Sequence, residues 1–240
     1  MFTTKQIHKT TYWYNPKLLT EDVELAFSVD YWKANQAILG HAQGRGTTWF
    51  VKGEKSDFAL RHYHRGGLFG KLVRDSYLFT GLESSRAYQE LMLLELLAKH
   101  NVNVPSPVAA KVSREGIVYK ADILIEKISD AEDLVKILSN KKLSDTHFND
   151  IGHQIRKMHD AGVNHTDLNI HNILVDKAGK VWIIDFDKCL TQTGSNWKES
   201  NLKRLERSFE KEVRLGRIDA QHFDFSQIEQ GYKMSTLESL

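Results

Sequence analysis

The segment His165-Thr166-Asp167-Leu168-Asn169-Ile170-His171-Asn172 is followed, after a short connection, by Val181-Trp182-Ile183-Ile184-Asp185-Phe186-Asp187. The first places an aspartate and an asparagine on one loop in the pattern H-x-D-L-x-x-x-N. The second is an apolar run that reads as a buried strand and ends on D-F-x. Transfer of a phosphoryl group from ATP needs this set. One carboxylate orients and deprotonates a hydroxyl, while an amide oxygen and a second carboxylate hold magnesium. Singly these residues are commonplace: Asp167 capping a turn, Asn172 tolerating a left-handed backbone, Asp185 ending a strand. Jointly, with an amphipathic helix just upstream, they predict a kinase-fold phosphotransferase. Asp167 is then the general base, and Asn172 and Asp185 are the Mg²⁺ ligands.

The chain has 240 residues, enough for one large core or two smaller lobes. A net charge of +2 gives no bulk argument for nucleic acid, and no recognition motif accompanies the basic residues. No apolar run approaches the roughly 18 residues that a membrane-spanning helix needs, and the N-terminal residues lack the apolar core of a secretory signal. The single cysteine, Cys189, excludes an internal disulfide and fits a reducing compartment.

Strand signals dominate the first half. Thr47 to Val51 and Phe58 to Tyr63 read as strands joined by a hairpin through Lys52 to Ser56, and Val118 to Ile125 as a buried strand. A helix is expected over roughly Glu83 to His100. Val104 to Val108 must be extended around its two prolines. Residues 1–40 carry no catalytic signature, leaving an extra strand layer or a part of an acceptor site. From Ser129 the chain turns helical. Phe148, Ile151, Ile155 and Met158 form one apolar face, with Gly162 as a C-cap. Leu202, Leu205, Phe209 and Val213 form a second stripe. The expectation is an α+β, two-lobed protein-kinase-like fold: a β-rich nucleotide-binding lobe over 1–128 and a helical lobe with the catalytic loop over 129–240.

Gly44-Arg45-Gly46 precedes the first strand pair, where a kinase places its glycine-rich nucleotide loop, so Gly44 and Gly46 are candidate nucleotide contacts. The strand cation that clamps phosphates is expected at Arg61, with Glu90 as its helix partner; Lys52 is the alternative cation, and Glu83 and Glu95 share the helix. His165 either braces the loop through backbone or is a generic turn histidine. Asn169 and His171 sit where side chains can reach substrate. From Phe58 to Arg74 the cations Arg61, Arg65, Lys71 and Arg74 interleave with Leu68 and Phe69. That composition suits either a solvated loop or a surface for an anionic partner, a phosphorylated glycolipid or an anionic leaflet. The helix carrying Lys203 to Arg217 is also basic, but glutamates dilute it and a solvated face is expected.

No A-P-E segment follows Asp187, and about fifty residues remain, which suits a small-molecule or lipid-linked sugar acceptor better than a polypeptide. Arg61 to Leu72, Asp75 to Phe79 and His165 to Leu174 closely resemble the bacterial 3-deoxy-D-manno-octulosonic acid (Kdo) kinase family, over about Gly44 to Phe209. The resemblance implies ATP-dependent phosphorylation of the Kdo 4-hydroxyl on a Kdo-lipid A precursor, at the cytoplasmic face of the inner membrane. It carries Asp167 over as base and Asn172 and Asp185 as magnesium ligands, and gives Arg65, Lys71 and Arg74 an anionic glycolipid to bind. No obligate protein partner is implied. A heptose or aminoglycoside kinase of the same fold, or a pseudokinase binding module, is the alternative.

Overall fold

The computed structural model describes residues 1–44, 46–65 and 75–234. The chain divides into two units, Met1–Met92 with Ser106–Lys127, and Leu93–Pro105 with Ile128–Leu240. The mixed α+β composition, with one large antiparallel sheet, is that expected from the sequence.

The first unit is built on β1 (Thr3–Ile7), β2 (Thr10–Tyr14), β3 (Ile38–Gln43), β4 (Thr47–Lys52), β5 (Asp57–His62), β6 (Tyr77–Leu78), β7 (Pro107–Glu115) and β8 (Val118–Glu126). Their order is β1-β2-β7-β8-β5-β4-β3, with β6 pairing to β8, and every pairing is antiparallel. The β4–β5 hairpin forms where the sequence places it. It closes through the Gly53 N–H donating to the Ser56 carbonyl at 3.1 Å. Register sets Arg61 of β5 between Thr48 of β4 and Ile123 of β8, so the candidate cation lies on a strand flanked on both sides.

Residues 1–40 resolve toward the strand-layer alternative. β1 and β2 extend the sheet beyond β7, and α1 (Val23–Ala26) and α2 (Val29–Ala34) cover it. Tyr12, Leu19, Val23, Phe27 and Trp32 join Phe58, Leu60 and Leu124 in one buried cluster. Trp32 is the largest of these, and its indole N–H donates to the Ala26 carbonyl at 2.8 Å, so burying the ring strands no donor.

The helix predicted over Glu83 to His100 is α3 (Arg86–Lys99). It begins later because the Arg86 N–H donates to the Tyr119 hydroxyl at 3.1 Å, capping the first turn from β8. Glu83 therefore lies in the preceding turn and not on the helix.

The second unit contains β9 (Ala131–Asp133), α4 (Leu134–Leu138), α5 (Asp145–Asp160), β10 (Val163–Asn164), β11 (Ile173–Asp176), β12 (Val181–Ile183), β13 (Leu190–Thr191), α6 (Asn196–Arg214) and α7 (Phe225–Lys233). Phe148, Ile151, Ile155 and Met158 of α5 are all fully buried, and Gly162 adopts φ +74° just past the helix end. Gly152 of α5 and Gly231 of α7 let the two backbones meet. A Cβ on Gly152 would collide with the Ile228 carbonyl, and one on Gly231 with that of Asn149. The stripe expected on α6 is partly different. Trp197, Asn201, Leu205, Phe209 and Glu212 are buried, while Leu202 and Val213 are only half-buried. Two polar side chains thus occupy core-facing positions, and their partners explain why.

Among the described residues, no helix is long and apolar enough to cross a membrane.

Candidate active site

The candidate catalytic loop leaves β10, passes through a 3₁₀ turn at Ile170–Asn172 and enters β11. It is held first by its own amides. The Asp167 carbonyl accepts from the side-chain nitrogens of both Asn169 and Asn172, each at 2.9 Å. The Asn169 side-chain oxygen caps the turn by accepting from the His171 N–H at 2.9 Å. With its nitrogen committed to Asp167, Asn172 presents its amide oxygen as the remaining acceptor. The Asp167 carboxylate is exposed, and no hydrogen bond engages it among the described residues.

His165 braces the loop and is not a generic turn residue. It is completely buried, its Nδ1 accepts from the Asp167 N–H at 3.3 Å, and its Nε2–H donates to the Ile184 carbonyl at 3.0 Å. Burial pushes its pKa down, outweighing the bond to Ile184 and the nearby Asp185 and Asp167. The neutral Nε2–H tautomer is the only one that satisfies both bonds. Its ring packs on Phe186 at 4.9 Å between centroids. A second tie, from the Ile184 N–H to the Asn172 carbonyl at 3.0 Å, joins the residue before Asp185 to Asn172. Asp185 itself sits at φ +62°, a left-handed conformation that costs a non-glycine residue about 1 kcal/mol.

The Asn172–Ile184 backbone bond brings the two candidate metal-ligand residues near each other in the fold, and their donors, an amide oxygen and a carboxylate, are hard. They fit a magnesium ion that completes its shell with water and phosphate. Among the described residues no three His, Cys, Asp or Glu side chains cluster as a metal cage.

Sequence reading missed the outer supports, which come from one face of α6. The His165 N–H donates to the Asn201 side-chain oxygen at 3.2 Å. The Ile170 N–H donates to the Ser208 hydroxyl at 2.9 Å. His171 Nε2 lies 3.2 Å from Glu212 Oε1, and Arg217 pairs with the other carboxylate oxygen at 3.1 Å. Burial pushes the Glu212 carboxyl up, but the bonds from His171 and Arg217 outweigh it and hold the pKa below the usual range. His171 is thus engaged with α6, which gives this substrate candidate a structural partner. The available signal was the polar pair Asn201 and Glu212 on an otherwise apolar stripe.

Asn201 also accepts from His159 Nε2 at 3.3 Å, while His159 Nδ1 accepts from the Tyr232 hydroxyl at 2.8 Å. Burial drives the His159 pKa down to about 4, against a smaller upward effect of the Asn201 bond. The unfolded chain binds this proton near pH 6.5 and the folded chain only near 4. Stability is therefore intact above about pH 6.5 and falls as pH drops toward 4, by roughly 3 kcal/mol in all. In denaturant titrations, the stability gap between wild type and His159→Gln should narrow by about 2.5 kcal/mol between pH 7.5 and 4.5. A gap independent of pH would mean that His159 is not the buried neutral group.

In the first unit, Arg61 and Glu90 meet. One guanidinium nitrogen lies 2.6 Å from both Glu90 oxygens, and the Tyr63 hydroxyl donates to the same carboxylate at 2.5 Å. Glu90 is only 3% exposed, so a partner cation is obligatory there. Lys52 is exposed at the end of β4, and Glu95 pairs with Lys99. Gly44 and Gly46 form the β3–β4 turn, with the Gly44 N–H donating to the Gly46 carbonyl at 2.9 Å. A Cβ on Gly46 would strike the His64 ring, which gives that glycine a packing reason. Arg65 is half-buried beside Tyr77, whereas Lys71 and Arg74 lie outside the described residues.

Residues 6–232 match the model of the lipopolysaccharide kinase (Kdo/WaaP) family. A 3-deoxy-D-manno-octulosonic acid kinase of Vibrio cholerae is 59% identical over 201 residues, covering 84% of this chain and 86% of the relative. The protein of that name from Photobacterium profundum is 52% identical over 222 residues, 92% and 94% of the two chains. One from Haemophilus influenzae is 47% identical over 203 residues, 81% and 83%. With the family model spanning nearly the whole chain, the protein belongs to the lipopolysaccharide kinase (Kdo/WaaP) family.

Proposed function

We propose that this protein transfers the terminal phosphate of ATP to the 4-hydroxyl of the Kdo sugar on a Kdo-lipid A precursor, in lipopolysaccharide core assembly. One observation carries the choice of acceptor: 59% identity, over most of both chains, to a relative named for Kdo phosphorylation. The self-clasped loop supports the chemistry.

Asp167 takes the proton of the acceptor hydroxyl while the oxygen forms its bond to the terminal phosphorus. The bond from that phosphorus to the bridging oxygen breaks, and ADP leaves. Asn172 and Asp185 would hold magnesium, which would neutralise charge on the phosphates. Arg61, fixed by Glu90, clamps nucleotide phosphate, and the Gly44–Gly46 turn approaches the nucleotide. Arg65, Lys71 and Arg74 receive the anionic acceptor. Asn169 and His171 border the acceptor hydroxyl while maintaining the loop. The protein works as a peripheral protein at the cytoplasmic face of the inner membrane.

The test is a comparison of Kdo-terminated and heptose-terminated lipid acceptors at equal concentration with Mg-ATP, followed by NMR of the product. Phosphate at O4 of Kdo, and slow transfer to heptose, is the expected result. Preferential transfer to heptose would replace this acceptor with another of the same pathway.

A further inference from the structure

The β7–β8 connection is a two-residue loop, Gly116-Ile117, between the paired residues Glu115 and Val118. Gly116 takes φ +65°, which glycine adopts without steric cost. The other position of such a loop usually goes to Asn, Asp, Gly or Ser, which solvate or hydrogen-bond the turn. Here it holds an isoleucine that is 76% exposed. Alongside runs β6. Its Leu78 pairs with Val118 and is 61% exposed, and the Phe79 N–H donates to the Ile117 carbonyl at 2.9 Å. A single exposed apolar residue is ordinary, but these three adjoin one another at one end of the sheet. Ile117 and Leu78 gain little burial from folding, so packing does not account for them.

The cations beside them are held in place. The Arg114 guanidinium lies 4.5 Å from the Phe79 ring centroid, and its Nε–H donates to the Gly116 carbonyl at 2.9 Å. The Arg114 N–H donates to the Lys9 carbonyl at 2.9 Å, which brings the β1–β2 turn against the same loop. Arg114 and Lys9 are exposed, and neither has a carboxylate partner among the described residues. The acid of the loop, Glu115, lies 3.6 Å from Lys120. An apolar tip with a cationic collar matches the surface of an anionic bilayer. Apolar groups gain by leaving water for the acyl boundary, and cations gain by staying among the phosphates.

We propose that this end of the sheet is a membrane-docking surface for an anionic leaflet. Ile117 and Leu78 enter the headgroup–acyl boundary, and Arg114, fixed on Phe79, stays with Lys9 at headgroup level. The proposal rests on the lipid-linked acceptor reading for the identity of the membrane, and adds a contact that does not pass through the acceptor.

Flotation of the full-length protein with vesicles of phosphatidylethanolamine and phosphatidylglycerol, free of Kdo lipid, tests it. The variants are Ile117→Asn, which suits the turn, Leu78→Thr, which suits a strand, and Arg114→Gln. Partitioning should fall about tenfold in each apolar variant, as for the loss of one buried aliphatic side chain. Arg114→Gln should lose about fivefold on these vesicles and nothing on phosphatidylcholine. All three should melt with wild type and turn over detergent-dispersed acceptor at its rate, while turnover of vesicle-embedded acceptor falls. Equal partitioning of wild type and variants, or a wild type that does not float, would overturn the surface. So would an equal loss of turnover in detergent, which would place these residues at the active site. Self-association in sedimentation velocity that Ile117→Asn abolishes would assign the tip to a second copy of the chain and overturn the membrane. Tip-dependent flotation of a protein that fails to phosphorylate Kdo would remove the acceptor reading and leave the surface standing.

Discussion

Asp167→Ala should lower the rate of phosphoryl transfer by about a thousandfold, with little change in melting temperature or in KM for ATP. The magnitude is that of removing a positioned general base, which contributes roughly 10²- to 10⁴-fold. The expected silence in stability follows from structure. The loop is held through the Asp167 N–H and carbonyl, and the carboxylate contributes no bond to the fold among the described residues. Asp167→Asn retains shape and should be nearly as slow, because an amide cannot accept the proton. If Asp167→Ala kept even a tenth of wild-type turnover, the base would have to be sought elsewhere. A large fall in melting temperature would mean that the residue is structural.

The second large effect is expected at Asp185, where function and backbone strain coincide. Asp185→Gly and Asp185→Ala should both reduce turnover by roughly two to three orders of magnitude, since each removes a carboxylate proposed to hold magnesium. Their stabilities should differ. Glycine adopts φ +62° without steric cost, whereas alanine keeps its Cβ, so the glycine variant should be more stable than the alanine variant by about 1 kcal/mol. Part of that difference is offset by the greater freedom of glycine in the unfolded chain. Chemical denaturation of the two inactive variants gives the comparison directly. The reverse order would show that the left-handed backbone is not strained, and wild-type activity in either would remove Asp185 from the mechanism.

Much of this site was legible because its parts are local in sequence. Asp167, Asn169 and Asn172 clasp one another across five residues, and the fixed spacing of the loop is itself the signal. Arg61 and Glu90 were also accessible, because the kinase pattern pairs a strand cation with a helix carboxylate and these residues stand at the matching positions. The supports from α6 were not. Asn201, Ser208 and Glu212 reach the loop across 36 to 41 residues of chain, and polar side chains on a charged helix look solvated until their partners are known. Gly152 and Gly231 gave no sign of the α5–α7 contact, since a helical glycine alone does not say which backbone approaches it. Residues 1–40 lack a catalytic motif but supply aromatic mass to the core, a role that depends on the sheet they join.

The central claim is that this chain is a magnesium-dependent kinase of the Kdo sugar. It is tested most directly by the initial rate of transfer of the labelled terminal phosphate from ATP to Kdo-lipid A precursor, with magnesium present and after its chelation. The account predicts phosphorylated Kdo at a rate that vanishes on chelation and returns when magnesium is restored. Transfer undiminished without a divalent cation, or no label on Kdo with magnesium and ATP in excess, would contradict it.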